Sequence, residues 1–197
     1  MSRPSEVSAQ SSRQTKPNYN REERTLLLQI AREAILSFLQ KREMPPFILP
    51  APLLEPRGVF TTIYLKEKLR GCVGYPAAIL PLHRAVAETA RASALEDPRF
   101  YPLRLDEAEH LRISISVLSP LQPISADQVE IGRHGLVISQ AGRRGLLLPQ
   151  VPVEHGWDRV TFLEQTCLKA GLSPDAWKSG THIEAFTAET FADDQGK

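Results

Sequence analysis

The sequence predicts an α+β fold in which a mainly antiparallel sheet is flanked by helices. Two observations carry that expectation. Runs of β-branched and aromatic residues come in neighbouring pairs split by three turn-type residues, as in "GVFTTIYL", "KEK", "LRGCVG", which is the pattern of hairpins. Three other stretches repeat apolar residues at three- and four-residue steps, the mark of helices with one buried face. These elements do not alternate in the β-α-β rhythm of a doubly wound sheet.

Residues 1–19 are Ser, Gln, Arg and Lys with almost nothing apolar, so ordering them costs chain entropy without compensating burial, and a flexible tail is expected there. Asn20 and Glu23 have the spacing of a capping box and open a helix expected from Arg21 to about Lys41, with Leu27, Ile30, Ala31, Ala34, Ile35, Phe38 and Leu39 on its stripe. "MPPFILPAPLLEP" holds five prolines and must cross the surface as an extended connection. The first hairpin follows, with Cys72 on its second strand. A helix opening at Pro81 carries Leu82, Ala85, Val86, Thr89, Ala90 and Ser93, and ends before Asp97-Pro98.

"LDEAEHL" reads as one short helical turn. "RISISVLS" alternates strictly, with Ile113, Ile115 and Val117 on one face. "GLVISQAGRRGLLLPQ" reads as a second hairpin turning at Ala141-Gly142-Arg143. "GWDRVTFLEQTCLKAGL" is a helix with Val160, Leu163, Cys167 and Ala170 on one side and Gly171 at its end. "HIEAFTAETF" returns as a strand, and residues 192–197 form a C-terminal tail.

The 197 residues suit one domain, expected over 20–191. A formal charge of +1 argues against the broad basic face that gives non-specific phosphate affinity, so nucleic acid is a poor partner for this chain. Two cysteines, Cys72 and Cys167, make neither a four-thiolate zinc site nor a secreted disulfide framework, and a reducing cytosol is the expected home. The N-terminus has no apolar core of a secretory signal, and no run approaches ~18 apolar residues, so no membrane association is expected.

"RGCVG" is the first stretch that can carry chemistry. Read as a strand, it puts Arg70, Cys72 and Gly74 on one face. A guanidinium beside a thiol stabilises the thiolate, and Gly71 and Gly74 leave space for a ligand or a second backbone. The same residues also read as a buried cysteine next to a bulge, with Arg70 paired across the sheet. Cys167, on the apolar stripe of its helix, reads as core. In "EDPRFYP", Pro98 forces Asp97 out of helical geometry and Arg99 leaves the helix with its fork free for an anion or for a structural partner. His134 in "GRHG" is a candidate base towards Cys72, and Glu154 beside His155 is a further candidate acid. The remaining histidines lack metal-ligand spacing, and no cofactor motif occurs: neither G-x-x-x-x-G-K-[ST], G-x-G-x-x-G nor G-x-S-x-G is present.

Taken in order, "GVFTTIYLKEKLRGCVGYP", "EDPRFYPL", "ISISVLSP", "IGRHGLVISQAGRRGLLLPQVPVEHGWD" and "CLKAGLSPDAW" resemble the AMMECR-one domain, whose bacterial members are called AmmeMemoRadiSam system protein A. The resemblance runs from about Arg21 to Phe191. Its R-G-C-[IV]-G hallmark is Arg70 to Gly74, with Val73 in place of the frequent Ile; its D-P-R-F block is Asp97 to Phe100, and its L-L-L-P-Q block is Leu146 to Gln150. The resemblance implies two unequal lobes with a cleft, a functional hallmark block, and Memo-like and radical SAM proteins as company; it implies no particular reaction. Two classes of function follow. In one, an enzyme or enzyme component uses Cys72 on a small molecule or a partner-bound intermediate, with His134 as base and Arg70, Gly71, Gly74, Asp97, Arg99 and Glu154 around the substrate. In the other, a non-catalytic module docks the same partners and Cys72 is packing.

Overall fold

The computed structural model describes residues 19–193. The two expected tails lie outside the described residues except at their inner ends, where Tyr19 is buried in the core and Ala192 still pairs with Ser114 in a sheet.

The first helix, α1 (Arg21–Leu39), starts where its capping box closes: the Asn20 side chain accepts the Glu23 N–H at 2.9 Å and the Glu23 carboxylate accepts the Asn20 N–H at 2.8 Å. The proline-rich segment runs extended apart from one 3-10 turn at Ala51–Leu54, which buries Leu53 completely. The hairpin β1 (Val59–Leu65) and β2 (Lys68–Tyr75) turns on Lys66 and Glu67, both left-handed, the geometry of a two-residue turn matched to strand twist. Then come α2 (Leu82–Leu95), the single turn α3 (Leu105–Ala108), β3 (Leu111–Leu118) and the short β4 (Gln122–Pro123). A second hairpin, β5 (Gly135–Gln140) and β6 (Arg143–Leu147), precedes α4 (Gln150–His155), α5 (Arg159–Lys169), β7 (His182–Phe186) and β8 (Ala188–Ala192).

The strands form two antiparallel four-stranded sheets, ordered β2-β1-β3-β8 and β4-β7-β5-β6, so the fold is α+β. Helices α1 and α2 cover one face of the first sheet through Leu27, Ile30, Val86, Ile63, Ile113 and Ile115. Helix α5 covers one face of the second through Phe162, Leu163, Cys167, Leu136 and Ile138. A third cluster joins the sheets: Leu118, Val137 and Phe186, with Phe60 and Leu146 packed on it. Among the described residues no helix is long and apolar enough to cross a membrane.

Three elements differ from expectation. The closing segment is two strands, one in each sheet, joined by Thr187 alone; Phe186 and Ala188 on either side of it both reach the joining cluster. Helix α4 was not foreseen; Pro152 sits in its first turn, where no intrahelical donor is lost, and Gly156 at φ 64° ends it. On α5, Val160 is 44% exposed; the buried stripe runs through Phe162, Leu163, Thr166 and Cys167, because the largest apolar side chain takes the centre of the face.

Candidate functional site around Cys72

Strand β2 is an edge strand, so its outer backbone groups need partners from outside the ladder. Asp97 supplies one. Pro98 stops α2 just before it, and the Asp97 side chain, 3% exposed, accepts the Cys72 N–H at 2.8 Å, the Arg99 N–H at 3.1 Å, and Arg99 Nε and Nη2 at 3.0 and 2.7 Å. The Arg99 guanidinium holds the Asp97 carboxyl well below the usual carboxylate range; burial opposes this and the N–H groups of Cys72 and Arg99 add to it. Arg99 Nη2 also reaches the Cys72 carbonyl at 3.5 Å, and its guanidinium lies over the Phe100 ring at 5.4 Å. Both backbone groups of Cys72 are thus addressed from the exit of α2.

The Cys72 side chain points the other way from the helices. Directly opposite, Thr62 Oγ1 donates to Cys72 Sγ at 3.3 Å. Register places Ser114 beyond Thr62 in the same row, and the adjacent row holds Gly74, Phe60, Ser116 and Thr190, with the last two hydroxyls 2.9 Å apart. Cys72 is half-buried and stands on a hydroxyl-bearing face whose Phe60 and Leu118 end packs against the second sheet. On the covered face, helix and sheet interlock. Ser93 Oγ accepts the Val73 N–H at 2.9 Å and stands 2.7 Å from the Thr61 carbonyl, and a Cβ on Gly71 would sit 1.9 Å from the Ser93 carbonyl oxygen.

Of the residues singled out in the sequence, the structure gathers Cys72, Asp97 and Arg99. Arg70 is nearby but engaged: it donates to Glu107 at 3.1 and 3.3 Å and to the Tyr101 carbonyl at 2.8 Å. The cause is a bulge. Ile63 pairs with Gly71 and Tyr64 with Leu69, so Arg70 is the extra residue and leans off the strand edge towards α3, where strict alternation would have set it beside the sulfur. Protein atoms fill the space expected at the glycines: the α2 backbone lies against Gly71 and the Phe60 ring against Gly74. His134 lies in the loop before β5, in the second sheet, with Nδ1 accepting the Glu130 N–H at 3.1 Å; burial pushes its pKa down. Glu154 is exposed on α4, where its neighbour His155 stacks on Trp157. Neither His134 nor Glu154 shares a hydrogen bond with Cys72.

Thr62, Ser93 and Glu107 complete the surroundings and had not been singled out. Without the bulge, the two-residue turn would have set Thr62 opposite Gly71, so only the bulged register reveals Thr62 as the thiol's neighbour. Beside the Asp97 corner, Arg70, Arg99, Tyr101 and Arg104 line an open concavity of about 610 Å³, and Tyr101 is 90% exposed. Cys167 is fully buried and burial pushes its thiol up. Among the described residues no group of three or more His, Cys, Asp or Glu is placed to hold a metal.

The family model AMMECR1 matches residues 28–191. Protein MK0488 of Methanopyrus kandleri is 43% identical over 189 residues, covering 88% of this chain and 90% of its own. Protein PH0010 of Pyrococcus horikoshii is 42% identical, covering 85% of this chain and 88% of its own. The crystal structure of uncharacterized protein PH0010 from Pyrococcus horikoshii superposes with a TM-score of 0.76 at 41% identity, covering 88% of this chain and 92% of that one.

Proposed function

Because this chain belongs to the AMMECR1 family, we propose that it is an enzyme or enzyme component presenting the Cys72 thiol to a small molecule or to an intermediate carried by a partner protein. One observation carries the reading. A buried carboxylate and its guanidinium are used to fix the backbone of a residue whose side chain faces outward beside a hydroxyl donor. Holding a reactive group on a rigid element is how sites gain precision. Two unpaired cysteines suit a reducing cytosol. Memo-like and radical SAM proteins are the proposed partners, and a ligand would lie on the Cys72 side of the first sheet beside Thr62, away from the end that packs on the second sheet.

The test is reaction of the folded protein with iodoacetamide across pH, read by mass spectrometry at each cysteine. A Cys72 that stays unmodified until the protein unfolds would defeat the proposal. A second reading, a docking module with Cys72 as packing, draws support from the 90% exposed ring of Tyr101 beside the Asp97 corner. Capture of a Memo-like or radical SAM protein by the Cys72→Ser variant separates the two. Under the docking reading, binding and pathway output both survive; under the thiol reading, binding survives and output is lost.

A further inference from the structure

We propose that the second sheet, on the face turned away from α5 and at its uncovered β5–β6 hairpin end, carries a seat for a small oxyanion, built by Arg144, Ser139 and His182, with Glu184 placed to accept a hydrogen-bond donor from the same ligand. The register makes the row. Ser139 pairs with Arg144 on one side and with His182 on the other, so the three side chains share one face of neighbouring strands, each opposed pair about 5 Å apart at Cβ. Glu184 is two residues from His182 on the same face. The opposite face is closed: Leu136, Ile138 and Ala185 pack with α5, and a Cβ on Gly145 would lie 2.4 Å from the Ala170 nitrogen.

The seat is unspent. Its four residues line a concavity of about 320 Å³ at the end of the β5–β6 hairpin, and among the described residues no hydrogen bond or ion pair engages the side chains of Arg144, His182 or Glu184, whose backbones pair in the sheet. Their sequence neighbours are used differently: Gln140 donates to the Gly180 carbonyl at 3.1 Å and Arg143 to the Gly171 carbonyl at 2.9 Å, which ties down the hairpin tip and leaves the adjacent Arg144 to face solvent. A planar guanidinium beside a hydroxyl and an imidazole matches a carboxylate or phosphate, which it can hold through two parallel hydrogen bonds. Glu184 works against a bare anion. A ligand that brings an ammonium or hydroxyl group to its side satisfies it, so the seat selects small molecules carrying an oxyanion and a neighbouring donor.

The seat is independent of the chemistry of Cys72. It is tested on the full chain by NMR titration with two probes, inorganic phosphate and phosphoethanolamine, following Ser139, His182 and the Arg144 side chain. The expected result is a saturable shift of these signals, with phosphoethanolamine bound severalfold more tightly. Arg144→Ala, which removes an exposed side chain and leaves the fold intact, weakens both probes by about tenfold or more. Glu184→Gln strengthens phosphate and abolishes the preference, and Cys72→Ser titrates as the parent. Shifts that never saturate, or an Arg144→Ala variant that titrates as the parent, overturn the seat; a preference that persists in Glu184→Gln overturns the role given to that carboxylate.

Discussion

The Asp97 carboxylate and the Cys72 N–H meet at 2.8 Å, and through that bond the exit of α2 fixes the free edge of the first sheet. Asp97→Ala removes the acceptor for four hydrogen bonds at once and leaves a strand N–H without its partner. A loss of about 2–4 kcal/mol in chemical denaturation is expected, with Asp97→Asn intermediate because the amide oxygen still accepts. An Asp97→Ala variant of parental stability would show that the clip holds nothing.

The same carboxylate makes stability sensitive to acid. Its pKa lies below the ordinary value of 3.8 in the folded chain, so the unfolded chain takes up the proton first. The stabilisation is complete above the unfolded value and is lost as pH falls from there through the folded one. Urea midpoints measured from pH 5 downward should fall more steeply for the parent than for Asp97→Asn, and parallel curves would contradict this.

Much of this was legible in the chain. Asn20 and Glu23 marked the start of α1, where their capping box closes, and the six apolar and small residues from Leu82 to Ser93 and the alternating Ile113, Ile115 and Val117 marked the faces of α2 and β3 that lie buried. These are short-range signals, set within a few residues. What escaped depends on distant partners or on one irregularity. A bulge and a partner for Arg70 were one of the two readings of this stretch, but strict alternation hides that Arg70 itself is the extra residue, which turns the guanidinium to Glu107 on α3 and brings Thr62 opposite Cys72. The split of the closing segment at Thr187 depends on the second sheet being there to receive β7.

Gly71 is required by a close approach and not by a turn. A Cβ there would stand 1.9 Å from the Ser93 carbonyl oxygen, an atom of helix backbone that cannot swing aside. Gly71→Ala must push α2 off β2 and break the Ser93 bridge to Val73, and a cost of about 3 kcal/mol or more is expected, at the upper end for overpacking. By contrast, Ala at Gly156 meets no atom within 4 Å and carries only the strain of its left-handed backbone, about 1 kcal/mol. Thermal unfolding of the two variants side by side checks the order, and equal losses would mean that the helix yields.

The two thiols should differ sharply in one protein. Cys72 is half-buried beside the Thr62 hydroxyl, on the face of the first sheet turned away from α1 and α2, whereas Cys167 is fully enclosed by the α5 core. An enclosed thiol reacts only when the structure opens, and a stability of about 5 kcal/mol already slows it by at least about 10³-fold. Iodoacetamide should therefore label Cys72 first and Cys167 at the pace of unfolding. Thr62→Val keeps the shape of the side chain and removes the hydroxyl that donates to the sulfur at 3.3 Å and orients it, so labelling of Cys72 should slow severalfold while Cys167 stays protected. Equal rates at the two cysteines would place Cys72 inside the packing, and an unchanged rate in Thr62→Val would remove the hydroxyl from any part in the chemistry.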